Sequence, residues 1–276
     1  MAPVSGVETL MRGISFFVIL AVAVSFAVFF RAPDAIAADE SAVVRVAADP
    51  WCPYNCNPGD AKPGFLIEIG REAFAMSGYE MRYEVMPWSR ALRESYVGNV
   101  DAAVGATRAT APEHLFGSNM LSSDETIVFV RVGEIFDFTG VDSLKALRLG
   151  VIKDYTYDDN GPIDSYIAEN RGNLDRVITV SSHSNLGLLF RMLLAGRIDA
   201  FLENRHVGTY MASALNVRDS IALVPTGALD FVSFAFTPNA RGEMLVDAFD
   251  AGVTRLRETG RFEEILIRYG LNSLPE

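Results

Sequence analysis

The sequence predicts an α/β protein of two lobes, each a mostly parallel sheet flanked by helices. Strand-like and helix-like segments alternate along most of the 276 residues, a pattern typical of parallel sheets. A short segment recurs as 98–102 and 196–200, which indicates two similar units. Two further strand-like segments, at 125–132 and 230–236, lie where the chain would cross between the units.

The first unit is predicted to open with a strand, a helix and a second strand. Val43–Ala48 is an apolar run typical of a buried strand. Apolar residues then recur at helical spacing from Leu66 to Met76, and Gly78 ends the helix. Tyr79–Val85 alternates apolar with charged residues, which predicts a half-buried strand. Strand, helix and strand in this order form the opening unit of a parallel sheet.

The same criteria extend the pattern through the rest of the chain. Gly98 is a helix stop that divides the next helix from the next strand. The further predicted strands are Val100–Val104, Arg148–Ile152, Arg176–Val180, Ile198–Leu202 and Ile221–Val224. The further predicted helices are Trp88–Val97, Leu186–Ala195, His206–Leu215, Arg241–Glu258 and Arg261–Tyr269.

The recurring segment has a helix-stopping glycine, a β-branched residue and an Asp-Ala pair at the entry to a buried strand. A chance recurrence of a common helix-to-strand turn is the alternative, because such turns use few residue types. Combined with the two crossing strands, the recurrence predicts one lobe at 42–132 plus 230–276 and the other at 133–229. Two crossings would make a hinge about which the lobes close over a ligand.

The N-terminal segment resembles a secretory signal peptide. An apolar stretch, Ile14–Phe30, follows Arg12 and precedes the small-residue site Ala35-Ile36-Ala37. We expect residues 1–37 to be removed by cleavage near Ala37, which leaves a periplasmic protein. The alternative is a retained N-terminal membrane anchor, because the stretch approaches the length of a spanning helix.

Cys52 and Cys56 are the only two cysteines. Export to an oxidising compartment favours a structural disulfide between them. Pro53, Asn55 and Gly59 permit the tight turn that the bond requires. The alternatives are a redox pair or a metal site, but redox pairs are normally spaced by two residues, and no histidine lies nearby to complete a zinc site.

The charge argues against nucleic acid as a partner, because a net charge of −11 repels phosphate backbones. The three histidines, His114, His183 and His206, lack the spacing of a metal site. We therefore expect neither a metal nor another cofactor.

Several short motifs occur in a specific order along the chain. They are Ala48-Asp49-Pro50-Trp51-Cys52-Pro53-Tyr54, Gly64-Phe65, Pro87-Trp88-Ser89-Arg90-Ala91-Leu92, the two recurring segments, and Gly260-Arg261-Phe262 with Tyr269-Gly270. In this order the sequence resembles the periplasmic solute-binding proteins of the polar-amino-acid type (family 3), which are receptors of ABC importers. The resemblance implies a two-lobed periplasmic-binding-protein-like fold of type II, with a solute bound between the lobes.

Ligands of open α/β sheets bind beyond the carboxyl ends of the strands, and this rule selects candidate ligand-binding residues. They are Asp49, Trp51, Tyr54, Trp88, Arg90, Thr107, Arg108, Asp154, Tyr155, Thr156, Glu203 and Asn204.

Some of these candidates have a specific expected role. Trp51 and Trp88, the only tryptophans, would stack on a flat or cationic group, or else pack in the core. Arg108 would clasp a carboxylate with its planar guanidinium, or else remain a solvated loop residue. Thr107 and Thr156 would donate hydrogen bonds to the same anion.

The sequence departs from the amino-acid-binding pattern at two positions. That family holds the α-carboxylate with an Arg after a Thr-Pro-Glu-like segment, near which His114 stands here. It holds the ammonium with an Asp, and here that position is Asn204. Arg108 would have to replace the first charge, and Asp49 or Glu203 the second.

These observations predict a monomeric, non-enzymatic solute-binding protein that serves an ABC importer. The solute would be small and polar, either amino-acid-like or another small carboxylate or amine. One alternative is a periplasmic enzyme on the same scaffold, resembling cyclohexadienyl dehydratase, with Asp49, His114 or Glu203 as the acid. The other is a ligand-sensing module of a signalling partner.

Overall fold

The computed structural model describes residues 42–181 and 185–271, apart from the side chain of Asp124. The predicted signal peptide at 1–37 and His183 lie outside these residues. Cleavage near Ala37 and membrane anchoring therefore stay predictions. In the ranges that are described, none of the helices is long and apolar enough to cross a membrane.

Strands and helices alternate as the sequence predicts. The strands are β1 Val43–Ala48, β2 Glu80–Val85, β3 Ala102–Ala106, β4 Ser122–Arg131, β5 Leu149–Ile152, β6 Val177–Val180, β7 Ala200–Asn204 and β8 Ile221–Phe236. The helices are α1 Phe65–Ala75, α2 Trp88–Val97, α3 Pro162–Glu169, α4 Asn185–Leu194, α5 Arg205–Ala214, α6 Ala240–Glu258 and α7 Arg261–Arg268. Short 3-10 helices span Val141–Ala146 and Arg218–Ser220.

The eight strands are ordered β2-β1-β3-β8-β4-β7-β5-β6. Strand β1 is parallel to β2 and β3, and β5 is parallel to β6 and β7. Antiparallel pairs join β3 to β8, β8 to β4, and β4 to β7. Each side of the β8–β4 pair thus repeats the same three-strand parallel arrangement, which confirms the two-lobed α/β prediction. We call the parts around β1–β3 and β5–β7 the first and second lobes.

Strand β8 corrects the prediction of two separate strands at Ile221–Val224 and Asp230–Phe236. It is one strand of 16 residues, which pairs with β4 and then with β3. Pro225 and Gly227, which indicate a turn in the sequence, lie where the β4–β8 register shifts. A β-bulge accommodates such residues without ending the strand. Because β4 and β8 serve both lobes, the lobe bounds 42–132 plus 230–276 and 133–229 stay a prediction.

The recurring segment is also repeated in three dimensions. Gly98 ends α2 and Gly196 follows α4, both with positive φ, at 83° and 68°. Asp101 accepts the Arg45 N–H at 2.8 Å, and Asp199 accepts an equivalent backbone N–H at 2.9 Å. Each aspartate thus ties its strand to the first strand of its own lobe.

Arginines complete both aspartate clusters. Arg241 Nε contacts Asp101 Oδ1 at 2.7 Å, and Arg148 Nη2 contacts Asp199 Oδ1 at 2.8 Å. We call these two clusters the aspartate clamps. They lie at the amino ends of the parallel strands, opposite the end where ligands of such sheets bind.

Aromatic packing makes each lobe rigid. In the first lobe the rings of Phe234 and Phe249 lie 4.7 Å apart between centroids. In the second, Phe129 and Phe201 stack at 4.9 Å. All four side chains are fully buried. Rigid lobes hold the loops at the carboxyl ends of the strands in defined positions.

Candidate functional site

The loop after β1 is closed by the predicted disulfide. Cys52 and Cys56 are bonded, with their Cα atoms 4.8 Å apart. Within the loop, Trp51 N–H donates to the Asn55 carbonyl at 2.7 Å, and Tyr54 N–H donates to the Trp51 carbonyl at 2.9 Å. The disulfide prediction is confirmed, and the loop is a compact turn.

Tyr54 and Gly64 anchor this loop to the first lobe. Tyr54 is fully buried, and its hydroxyl donates to the Ser123 carbonyl at 2.8 Å. Gly64 has φ 112°, and an added Cβ would lie 2.3 Å from the Tyr54 carbonyl oxygen. Only glycine permits this approach, so the start of α1 packs directly on the loop.

The carboxyl ends of β1, β3 and β5 converge on one cavity, which we call the aromatic cavity. About 380 Å³ of space free of protein atoms lies in this cavity and in the open solvent at its mouth. Its lining residues are Asp49, Trp51, Asn55, Trp88, Val104, Gly105, Thr107, Thr110, Tyr155 and Thr156. They come from both lobes, as the strand-end rule predicts.

A second opening, which we call the adjoining cleft, shares Asp49, Trp88 and Tyr155 with the aromatic cavity. It is also lined by Arg90 and Glu203, together with residues of α4 and α5. The two openings lie next to each other, because three side chains border both of them.

Hydrogen bonds between the lobes surround this site. The Tyr155 hydroxyl donates to Asp49 Oδ2 at 2.8 Å. Trp51 Nε1 donates to Glu203 Oε1 at 3.0 Å. The two lobes are therefore held together by contacts of the site residues themselves.

Two further hydrogen bonds join the two lobes. Asn204 Nδ2 donates to the Tyr54 hydroxyl at 3.1 Å, and the Ser89 hydroxyl donates to Asp154. Each bond joins a residue of the first lobe to one of the second. Opening the lobes would have to break these bonds.

Asp49 has an unusual electrostatic environment. Burial raises the pKa of its carboxyl from 3.8 to about 6, and the hydrogen bond from Tyr155 opposes this rise only in part. Burial also raises the pKa of Tyr155, with the charges of Asp49 and Glu203 adding to the effect. Among the described residues, no Arg, Lys or His forms an ion pair with Asp49. A carboxylate in this position favours either a proton or a cationic ligand.

The structure brings six predicted site residues together and places others elsewhere. Those that line the aromatic cavity are Asp49, Trp51, Trp88, Thr107, Tyr155 and Thr156. Arg90 and Glu203 line the adjoining cleft. The cavity position of these residues agrees with the sequence-based expectation, while their contact with a solute stays a prediction.

Tyr54 and Asn204 contact each other and not the cavity surface. Both are buried, and Asn204 is the N-cap of α5, where its Oδ1 accepts the Val207 N–H at 2.9 Å. Capping is a common role of asparagine at a helix start. Asn204 therefore stabilises the start of α5.

Arg108 lies outside both openings. Its guanidinium carbon lies 5.0 Å from the centroid of the Phe116 ring, and Nη2 donates to the Gly117 carbonyl at 3.4 Å. The side chain is not among the residues that line the cavity or the cleft. That Arg108 clasps a carboxylate stays a prediction, and this placement does not favour it.

The described histidines have other surroundings. His114 Nε2 lies 2.9 Å from Ser95 Oγ, and burial lowers the pKa of this histidine. His206 lies on α5, where burial also lowers its pKa. In the part of the chain that the structure describes, no group of three His, Cys, Asp or Glu residues could hold a metal ion.

Asn55 and Gly105 line the cavity but were not predicted as site residues. Asn55 Nδ2 donates to the Asp49 carbonyl at 2.6 Å, while its buried Oδ1 has no hydrogen-bond partner. Gly105 has φ 84°, and an added Cβ would lie 3.0 Å from Asn55 Oδ1. The sequence marks Asn55 only as a turn residue inside the disulfide loop, and Gly105 only as a glycine at a strand end.

Solved structures share this fold, although no family model and no curated protein sequence matches the chain. A histidine kinase sensor domain with similarity to periplasmic binding proteins aligns with TM-score 0.70 and 19% identity, over 84% of this chain and 98% of that one. The chain has the two-lobed fold of periplasmic binding proteins.

Two further solved structures have the same fold. The amino acid ABC transporter substrate-binding protein AbpA from Streptococcus pneumoniae, bound to L-arginine, aligns with TM-score 0.65 and 18% identity, over 83% of this chain and 95% of that one. A structure that describes glutathione import via GshT and the cystine ABC importer TcyBC of Streptococcus mutans aligns with TM-score 0.70 and 16% identity. The alignment covers 85% of this chain and 97% of that one. At these identities the likeness establishes the fold.

Proposed function

We propose that this protein is an extracytoplasmic receptor that captures a small polar solute between its lobes and delivers it to an ABC importer. The observation that supports this proposal most strongly is the aromatic cavity, which both lobes line at the carboxyl ends of their strands. Such a cavity is accessible when the lobes open and sealed when they close. We further propose that the receptor is a monomer and has no enzymatic activity.

The hydrogen bonds between the lobes support this proposal. Asp49–Tyr155 and Trp51–Glu203 connect residues that border the candidate site, so lobe closure and the site are coupled. A solute that enters the cavity meets these same groups. Its binding free energy can therefore shift the balance between open and closed forms.

Intrinsic fluorescence tests the proposal directly, because both tryptophans of the chain line the aromatic cavity. We expect a saturable change in tryptophan emission with a member of a panel of amino acids, amines, small carboxylates and aromatic acids. A solute at 100 times its Kd should stabilise the fold by about 2.7 kcal/mol. The expected rise in Tm is roughly 5–10 °C.

Single Trp51→Phe and Trp88→Phe variants serve as matched controls that assign the emission change to one ring. A panel in which no solute changes emission or Tm would contradict the proposal. Recovery of the bound solute as a different compound would instead support the enzyme alternative. Light scattering during gel filtration tests the monomer.

A sensing role is the second candidate, favoured by the similarity to a histidine kinase sensor domain. The two roles differ in what is lost when the protein is deleted from its cell. A receptor for import predicts the loss of labelled solute uptake. A sensor predicts intact uptake and the loss of a response to the solute.

A further inference from the structure

The aromatic cavity has an uneven charge balance. Of the described residues that line it, Asp49 carries the single charged side chain, and none is Arg, Lys or His. Three aromatic side chains, Trp51, Trp88 and Tyr155, form much of the remaining wall. The faces of such rings attract cations.

Asn55 adds a second acceptor to the same cavity. Its amide is oriented by the bond from Nδ2 to the Asp49 carbonyl, so Oδ1 is turned away from that carbonyl. Oδ1 lies beside Gly105, another lining residue, and it is buried without a hydrogen-bond partner. Leaving a buried acceptor unpaired costs about 1–3 kcal/mol. A donor on a bound solute would remove this cost.

A carboxylate would find no cationic partner among the residues that line the cavity. It would lie near Asp49, and Glu203 borders the adjoining cleft. Arg90 and Lys153 line the cleft but not the cavity, and both have exposed side chains. An anion without a cationic partner loses its hydration without compensation.

We propose that the solute is an organic amine without a carboxylate, whose ammonium group lies in the aromatic cavity between Asp49 and Asn55 and against the rings of Trp51, Trp88 and Tyr155. This inference rests on the proposed receptor function. It narrows the candidate solutes from small polar compounds in general to organic cations. The ammonium donates to the two acceptors, and the rings surround its carbon atoms.

Pairs of compounds that share a cation and differ by a carboxylate test the proposal on the unmodified protein. Suitable pairs are agmatine with arginine, putrescine with ornithine, and histamine with histidine. In each pair that binds, we expect the compound without a carboxylate to bind at least tenfold tighter in tryptophan fluorescence titrations. Equal or tighter binding of the carboxylate-containing partner would overturn the proposal.

Two substitutions locate the charge that matters. Asp49→Asn keeps the shape of the side chain and should weaken binding of the best amine at least tenfold. Asp142→Asn is the matched control, because it removes one carboxylate from an exposed position remote from the cavity lining. An Asp49→Asn variant that binds the amine as well as the unmodified protein does would contradict the inference.

Arg108→Ala tests the opposing view that an anion is clasped. We expect unchanged amine affinity, because Arg108 packs on Phe116 outside the cavity. Loss of binding in this variant would overturn the inference. If only a non-amine solute changes the emission, the amine inference fails and the receptor function stands. If no solute does so, both fail.

Discussion

The acidic residues at the two ends of the parallel strands have opposite surroundings. At the amino ends, Asp101 and Asp199 each accept a backbone N–H and pair with an arginine. At the carboxyl ends, Asp49 is bonded to the neutral Tyr155 hydroxyl. The pKa of Asp199 is lowered by its hydrogen bonds with Arg148, whereas burial raises the pKa of Asp49 to about 6.

This comparison separates structural from candidate functional carboxylates. An aspartate whose charge is compensated within the protein stabilises the fold and has little left to offer a ligand. An aspartate that is buried with its charge uncompensated lowers stability, and such groups cluster at functional sites. The three predictions below follow from this difference.

Loss of an aspartate clamp is expected to have the largest effect. Asp101→Ala removes the shared acceptor of the Arg45 N–H and the Arg241 guanidinium, so the free energy of unfolding should fall by about 3 kcal/mol. Asp199 is more exposed, and Asp199→Ala should cost about 1–2 kcal/mol. Urea unfolding followed by circular dichroism measures both. Unchanged stability in both variants would show that the clamps do not stabilise the fold.

Removal of the Asp49 charge is expected to raise the free energy of unfolding, the opposite of the effect of losing a clamp. Because the pKa of Asp49 is raised from 3.8 to about 6, the folded protein binds this proton more tightly than the unfolded chain. Ionised Asp49 therefore lowers stability above pH 6, and the penalty disappears as the pH falls below 3.8. Asp49→Asn should raise stability by at most about 3 kcal/mol at pH 7.5 and by little at pH 4.

Thermal unfolding at the two pH values measures this difference. The groups near Asp49 are Tyr155 and Tyr83, whose pKa values burial raises further, and the charged residues of the adjoining cleft, which are Glu203, Arg90 and Lys153. The tyrosines stay neutral between pH 4 and 7.5. Glu203→Gln is therefore the matched control, because Glu203 is the other carboxylate that lines the adjoining cleft. The same stabilisation by Asp49→Asn at both pH values would rule out titration of Asp49 as its cause.

The smallest stability effect is expected at two glycines with nearly the same positive φ. Gly105 and Gly98 have φ 84° and 83°, so alanine at either position should cost about 1 kcal/mol. At Gly105 the added Cβ would also lie 3.0 Å from Asn55 Oδ1 and 3.5 Å from the Trp51 ring. At Gly98 the nearest atom to the added Cβ, on Thr237, would lie 3.6 Å away.

Solute affinity should distinguish these two variants. Gly105→Ala narrows the aromatic cavity and should weaken binding in fluorescence titrations, whereas Gly98→Ala should leave affinity unchanged. Equal affinities in the two variants would show that the solute does not occupy the space beside Gly105.

Local signals in the sequence predicted much of the fold. Helix α2 has the predicted bounds Trp88–Val97, because Pro87 and Gly98 mark its ends. Strand β8 was predicted as two pieces, since Pro225 and Gly227 indicate a turn. Pairing of β8 with both β4 and β3 decides its length, and a sequence pattern does not contain that information.

The strand-end rule placed candidate residues near the site but did not orient their side chains. The side chains of Trp51 and Tyr155 form part of the wall of the aromatic cavity. Asn204 instead caps α5, and Arg108 packs on Phe116. A position after a strand limits where a Cα atom lies. Capping and ring packing then decide which way the side chain extends.

By itself, the sequence determined most of the strands and helices, the repeated glycine stops and the disulfide loop, because these depend on residues near one another in the chain. Helix α3 was not predicted. Only the tertiary structure decided which carboxylates are neutralised. Asp101 meets Arg241 across 140 residues of sequence, and Asp49 meets Tyr155 across 106. Such contacts exist only when distant segments have packed together, and they distinguish the aspartate that binds a proton or cation from those that hold the strands.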